Sequence, residues 1–316
     1  MNLLGVGAVN YEKLIDEETW AFIRRTDELF PDEDPPVPLD ERRRLYDDWS
    51  LAFRARRPAG VQTKDLDAGG VPARSYTLGD PTCTVVFCHG GGFALGGLDS
   101  HDDICADICA ETGYRVVAID YRLAPEHLHP APFDDCWRAT SWVMDQFEGG
   151  IVLVGDSAGG NLCAAVAHHA RGRLTGVLGQ VLIYPLLGRQ MDTASYQEHM
   201  SAPMLTRADL IHVEKQRLNG TINDPDPSFA PLEDADFTAL PPTVAFSADC
   251  DPLRDDARLY VEKLQAAGGQ AHWVNETGLV HSYLRARHKV RRAAESFERI
   301  TVAVEALGQG VWSWDA

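Results

Sequence analysis

Two glycine-framed segments hold the residue types that can do chemistry in this chain: His89-Gly90-Gly91-Gly92-Phe93 and Gly155-Asp156-Ser157-Ala158-Gly159-Gly160. The Gly-x-Ser-x-Gly spacing sets a serine on a sharp strand-to-helix turn, where a side chain at either flanking glycine would strike the neighbouring strand or helix. The N-terminus of the helix that follows lies beneath Ser157 and favours negative charge there. Three successive glycines cost backbone entropy that a simple turn does not need, so Gly90 to Gly92 are expected to bring the backbone close to a ligand. A nucleophile and a site for the charge it creates point to acyl transfer by a serine hydrolase.

Such a serine needs a base and a group to orient that base, and after this kind of turn they follow in the order Ser, Asp, His. Thr243 to Ser247 reads as a strand that ends at Asp249-Cys250-Asp251-Pro252. Asp251, held before a proline, is the expected acid. Asp255 and Asp256 fall in the next helix, where solvated or dipole-stabilising roles are expected. Ala271 to Asn275 reads as the last strand, and Gly278 lets the chain turn in the loop that carries His281, the expected base. Among the 11 histidines, His272 lies inside a strand and His168 and His169 lie on the helix after the serine, where packing or surface roles suffice.

With these residues in place the chain resembles the bacterial hormone-sensitive-lipase-like carboxylesterases of the α/β-hydrolase superfamily. The resemblance rests on His89 to Phe93, Asp120-Tyr121-Arg122-Leu123-Ala124-Pro125-Glu126-His127, Gly155 to Gly160, Asp251 to Asp255 and His281, and spans roughly residues 60 to 310. It implies a Ser157, Asp251, His281 triad, an oxyanion hole made by the N–H groups of Gly91, Gly92 and Ala158, and a structural loop at Tyr121 to His127 with Glu126 as an internal hydrogen-bond anchor. Two positions depart from the pattern: His129 stands where an aromatic residue is expected, and Gly188 where an aspartate is common.

The elements that must position these residues are legible as apolar runs, Thr84 to Cys88 and Ile151 to Val154, alternating with helical stretches such as Asn161 to Arg171. With 316 residues, 45% of them hydrophobic, the chain can bury a large core. The expected architecture is an α/β-hydrolase fold: a mainly parallel eight-stranded sheet with helices on both faces and a helical cap. Its ligand site lies at the carboxyl ends of the strands.

Tyr11, Leu14, Ile15, Phe22 and Ile23 approximate one helix face, and Leu45, Tyr46, Trp49 and Phe53 another, with acidic, proline-rich Pro31 to Pro38 between them. The expected division is an N-terminal cap segment 1–58, a first core part 59–187, a cap insertion 188–240 broken by Pro203, Pro225, Pro227 and Pro231, and a second core part 241–316. The resemblance seats both cap pieces over the site. Phe93, Tyr196, Met204 and Phe229 fit either the pocket lining or core packing and are not counted as site residues.

Forty-seven acidic against 29 basic residues give a net charge of −18, which argues against nucleic acid and anionic membranes as partners. The basic groups Arg42-Arg43-Arg44 and Arg54, Arg56, Arg57 read as a solvated helix face. Met1 to Val9 is apolar but short and lacks a basic leader, and no run approaches the ~20 residues of a membrane span. Seven cysteines, an odd number scattered over strands and helices, fit free thiols and a cytoplasmic protein. His101, Cys105 and Cys109 share a helix face but read as core rather than as a metal site.

The expected partner is a small ester, without nucleic acid or membrane insertion; a homodimer is compatible with the sequence, which does not disclose the oligomeric state. No cofactor or metal is required. An amidase or thioesterase would use the same triad. A noncatalytic small-molecule receptor of this fold would be expected to lack a triad member. A chymotrypsin-like protease is set aside, because its histidine precedes the serine and its nucleophile loop has no intervening alanine.

Overall fold

The computed structural model describes residues 9–31, 37–218 and 224–314. Most of the Met1 to Val9 stretch and the middle of Pro31 to Pro38 lie outside them. Eight strands, β1 (Gln62–Asp67), β2 (Pro72–Thr77), β3 (Thr84–Cys88), β4 (Arg115–Ile119), β5 (Ile151–Asp156), β6 (Val177–Ile183), β7 (Thr243–Cys250) and β8 (Ala271–Val280), form one sheet in the order β1-β2-β4-β3-β5-β6-β7-β8. β2 pairs antiparallel with both β1 and β4, and every pairing from β4 to β8 is parallel.

The central strands are apolar throughout because both faces are covered. Val85 and Phe87 of β3 pack into one layer with the helices Asp102–Thr112 and Arg291–Gly308; Val86 and Cys88 point the other way, toward Ala131–Gln146, Ala158–Ala170 and Arg254–Ala266. β1 has no such signature. Five of its six residues are exposed, since it is the sheet edge.

β3, β5, β7 and β8 point the same way, so His89, Ser157, Asp251 and His281, each the residue after its strand, emerge at one end of the sheet. β8 runs further than its apolar run suggests, to Val280, and Gly278 lies inside it at φ +69° rather than in a loop. The β7–β8 register shifts between Ala248 and Cys250, and Asp249 accepts the Gly278 N–H at 3.2 Å and the Asn275 side-chain amide at 2.8 Å. This bulge re-aims the strand end that carries His281.

The N-terminal residues form two helices, Tyr11–Leu14 and Glu17–Leu29, instead of one continuous face, because the Asp16 carboxylate accepts the Thr19 N–H and starts a second helix. A third, Leu39–Phe53, buries Tyr46 and Trp49. Among the described residues, no helix is long and apolar enough to cross a membrane.

Candidate active site

Ser157 sits between β5 and the helix Ala158–Ala170 with φ +53° and ψ −117°, a left-handed conformation that a residue with a side chain rarely adopts. The flanking glycines explain how the turn closes. A Cβ on Gly159 would lie 1.9 Å from the Cys88 carbonyl oxygen, and one on Gly155 would lie 2.5 Å from the Gly159 carbonyl. Turn, strand and helix are therefore in backbone contact.

Ser157 Oγ lies 2.9 Å from His281 Nε2, and His281 Nδ1 lies 2.7 Å from Asp251 Oδ2. Asp251 is fully buried, and its second oxygen accepts the Leu253 N–H at 2.9 Å. Ring contact with Tyr184, at 4.8 Å between centroids, holds the imidazole from the side. These bonds give the ring one orientation, with one nitrogen toward the serine and the other toward a carboxylate.

Gly91, Gly92 and Ala158 line the cavity that Ser157 and His281 also line, and their N–H groups meet no acceptor among the described residues. The need for glycine in this loop has causes other than ligand approach. A Cβ at Gly90 would lie 2.5 Å from Asp156 Oδ2, and one at Gly91, at φ +119°, would lie 2.2 Å from the Leu95 carbonyl oxygen. The loop turns on itself: the N–H groups of Ala94 and Leu95 donate to Gly91 O.

The segment Tyr121 to His127 buttresses the same loop. Tyr121 Oη donates to His89 O at 2.7 Å, its ring stacks on His89 at 4.2 Å, and the Ala124 N–H donates to Phe93 O. Burial, with His101 nearby, pushes His89 down to about 3, so the ring is neutral.

A family model for the α/β-hydrolase fold matches residues 85–285. The chain belongs to the hormone-sensitive-lipase-like branch of the α/β-hydrolase superfamily. It is 37% identical over 250 residues to the carboxylesterase NlhH of Mycobacterium tuberculosis, covering 74% of this chain and 78% of that one. It is 31% identical over 288 residues to an ethyl acetate hydrolase of Pseudomonas putida, covering 85% and 90%. A hyperthermophilic esterase from the archaeon Pyrobaculum calidifontis superposes with a TM-score of 0.85 at 31% identity, covering 93% of this chain and 99% of that structure.

In this α/β hydrolase a cavity of about 490 Å³ opens over Ser157. One wall comes from the N-terminal helices, with Trp20, Phe30 and Trp49, and another from 202–213, with Met204, Leu205 and Val213. Met204 therefore lines it. Phe93, Tyr196 and Phe229 do not; they are buried elsewhere, and the guanidinium of Arg217 lies between the Phe93 and Phe229 rings.

Three other expectations need correction. Asp255 and Asp256 are both buried: Asp255 accepts the Ser195 N–H at 2.9 Å, and Asp256 accepts those of Leu187 and Gly188 at 2.8 and 2.9 Å. They tie residues 187–195 to the helix after Asp251. The basic groups are not merely solvated, since Arg54 and Arg57 both pair with the buried Asp102. Glu126 is half exposed and is the partner of Arg43 rather than an internal anchor. His129, already a departure from the family pattern, meets Asp226 at 3.0 Å and sets its ring edge-on to Phe229 at 5.1 Å between centroids.

His101 lies at the start of the helix Asp102–Thr112, and Cys105 and Cys109 are buried in the apolar layer behind it. Asp103, Asp107 and His288 bring ligand atoms within 4.8 Å of one another, but the guanidinium of Arg287 already bonds both carboxylates at 2.6 Å.

Proposed function

We propose that Ser157 is the nucleophile, His281 the general base and Asp251 the group that orients it, with the N–H groups of Gly91, Gly92 and Ala158 as the oxyanion hole. The chain is a carboxylic ester hydrolase for small esters, like the carboxylesterase and ethyl acetate hydrolase it resembles. The observation that carries the residue assignment is the unbroken hydrogen-bond chain from Ser157 Oγ through His281 to Asp251.

The reaction follows from that order. His281 Nε2 takes the serine proton as Oγ attacks the ester carbonyl, while buried Asp251 fixes the tautomer and stabilises the imidazolium. The carbonyl oxygen becomes an oxyanion facing backbone N–H donors, each worth about 3 kcal/mol in the transition state. Alcohol departs with the proton from His281, and water repeats the sequence on the acyl-enzyme.

We read 1–58 and 188–240 as cap pieces over a core formed by 59–187 and 241–316. The two walls of the cavity support that reading. We further infer a cytoplasmic protein, supported by seven free cysteines, without nucleic-acid partners, supported by the charge of −18.

Hydrolysis of a p-nitrophenyl ester series from acetate to palmitate, run beside Ser157→Ala, tests the assignment. Turnover should peak at short chains and fall by several orders of magnitude in the variant, with the fold intact. Near-normal hydrolysis by Ser157→Ala would overturn it.

A further inference from the structure

The residue before the nucleophile is a buried carboxylate that the acyl-transfer steps do not use. Asp156 is 5% exposed, and its Oδ1 accepts the Gly90 N–H at 2.9 Å and lies 3.4 Å from His101 Nε2. A buried cation approaches the same nitrogen of His101. Arg285, 5% exposed, donates to Ser100 O at 2.7 Å and to Tyr46 Oη at 2.9 Å, with Nη2 3.5 Å from His101 Nε2. Arg285 sits four residues after His281, and Tyr46 on the N-terminal helix Leu39–Phe53.

A carboxylate out of water costs several kcal/mol unless its partners compensate, and a turn residue alone would not need one. The partners here belong to the catalytic segments: Gly90 from the loop of the proposed oxyanion donors, and Arg285 from the turn that follows the proposed base. Burial pushes the Asp156 carboxyl up, but His101, Arg285 and the Gly90 N–H outweigh it and hold the group below the usual carboxylate range. It is anionic wherever the enzyme would be assayed.

Three glycines give the backbone at Gly90 to Gly92 wide conformational freedom, so the orientation of its peptide planes depends on hydrogen bonds. Gly91 O is fixed by the loop's own Ala94 and Leu95 and Gly90 O by His89 Nδ1 at 2.8 Å, while the Gly90 N–H, at the root of the loop, is held by Asp156 from the nucleophile turn.

We propose that Asp156 is a positioning residue for the oxyanion hole, with Arg285 as its counter-charge: the carboxylate anchors the His89–Gly90 peptide at the root of the loop, beside the nucleophile turn, so that the Gly91 and Gly92 N–H groups that follow face the carbonyl oxygen. Through Tyr46, Arg285 ties the N-terminal helix to the same buried charge. The inference rests on the proposed function and adds to it a residue that touches neither substrate nor reacting atoms. Oxyanion donors act on the transition state, so their misalignment lowers kcat and leaves KM almost unchanged.

The test compares the wild type with Asp156→Ala, Asp156→Leu and Asp156→Asn. Turnover is expressed per active site, titrated to completion with a p-nitrophenyl phosphonate whose adduct is mapped by mass spectrometry. Losing the acceptor in the Ala and Leu variants should lower kcat about 10- to 100-fold with KM within about threefold. Both should lose affinity for a trifluoromethyl ketone, which forms an oxyanion adduct, by a similar factor. Asp156→Asn keeps an oxygen for Gly90 and should restore kcat to within about fivefold.

A purely structural role would lower the fraction of titratable sites and leave kcat per site alone, and that result overturns the proposal. So does a change confined to KM. If neither the Ala nor the Leu variant is recovered folded, Arg285→Met decides: kcat per site should fall at least about fivefold, and an unchanged value overturns the proposal. A phosphonate adduct on a residue other than Ser157 in the wild type would instead overturn the proposed function.

Discussion

Arg43 leaves the helix Leu39–Phe53 and closes on both carboxylate oxygens of Glu126, at 2.7 and 2.8 Å, while its other donors reach Ala94 O and Ala124 O at 2.9 and 3.1 Å. One side chain thus joins the N-terminal helix to the loop after Gly92 and to the segment that buttresses it. Arg43→Ala should lower stability by about 1–2 kcal/mol, mostly through the two carbonyl bonds, because Glu126 is half exposed and its ion pair is screened. Urea unfolding of Arg43→Ala beside Glu126→Gln measures this. The Glu126 variant should lose clearly less, and equal losses would contradict the weighting.

Asp251→Asn should leave the fold intact and lower kcat by about four orders of magnitude. The amide can still accept the Leu253 N–H but no longer holds His281 in the tautomer that accepts the serine proton. Stopped-flow hydrolysis of p-nitrophenyl acetate is sensitive enough to see it, and a loss below tenfold would remove Asp251 from its assigned role.

Burial pushes the Asp256 carboxyl up to about 7, against the N–H bonds from Gly188 and Leu187 that pull it down. Between its unfolded value near 4 and about 7, the folded state holds a proton that the unfolded state has released. Its contribution is therefore present below pH 4 and is lost as pH rises through 7. Asp256→Asn has no such titration. Its melting temperature, relative to the wild type, should climb from pH 4 to pH 8, and a flat difference would show that Asp256 does not titrate in this window.

Trp20 lines the cavity and is only partly buried, so its removal should reshape the pocket at modest cost to stability. Trp20→Ala is expected to raise kcat/KM for longer acyl chains several-fold relative to acetate. An unchanged chain-length profile would remove the N-terminal helices from the acyl site.

Gly159→Ala should fail to fold or lose more than about 4 kcal/mol, because its Cβ would meet the β3 backbone at 1.9 Å, where no flexible side chain can give way. Gly172→Ala, at φ +68° but in open space, serves as the control for backbone strain alone. Thermal melts of the two variants separate collision from strain.

What could be read from residues alone followed from short-range causes. β5 and the turn at Ser157 were legible because an apolar run, a Gly-x-Ser-x-Gly and a helical stretch stand next to each other in the chain. β1 was not, since an edge strand with both faces wet carries no alternation. Asp255 and Asp256 looked like helix-start acids because their partners, Ser195, Leu187 and Gly188, lie some 60 to 70 residues earlier. Arg43 and Arg54 looked solvated for the same reason, and Asp156 drew no notice because its meaning depends on Gly90, His101 and Arg285. Contacts between distant segments leave no periodic trace in composition.

The seven free thiols, all buried, are divided between the layers, with Cys105 and Cys109 behind one face of the sheet and Cys136 and Cys163 behind the other. None can meet a reagent unless the structure around it opens, so alkylation acts as a clock for opening rather than as a probe of surface. Mass mapping of the order in which those pairs are labelled would report which layer of the molecule detaches first, with no residue changed.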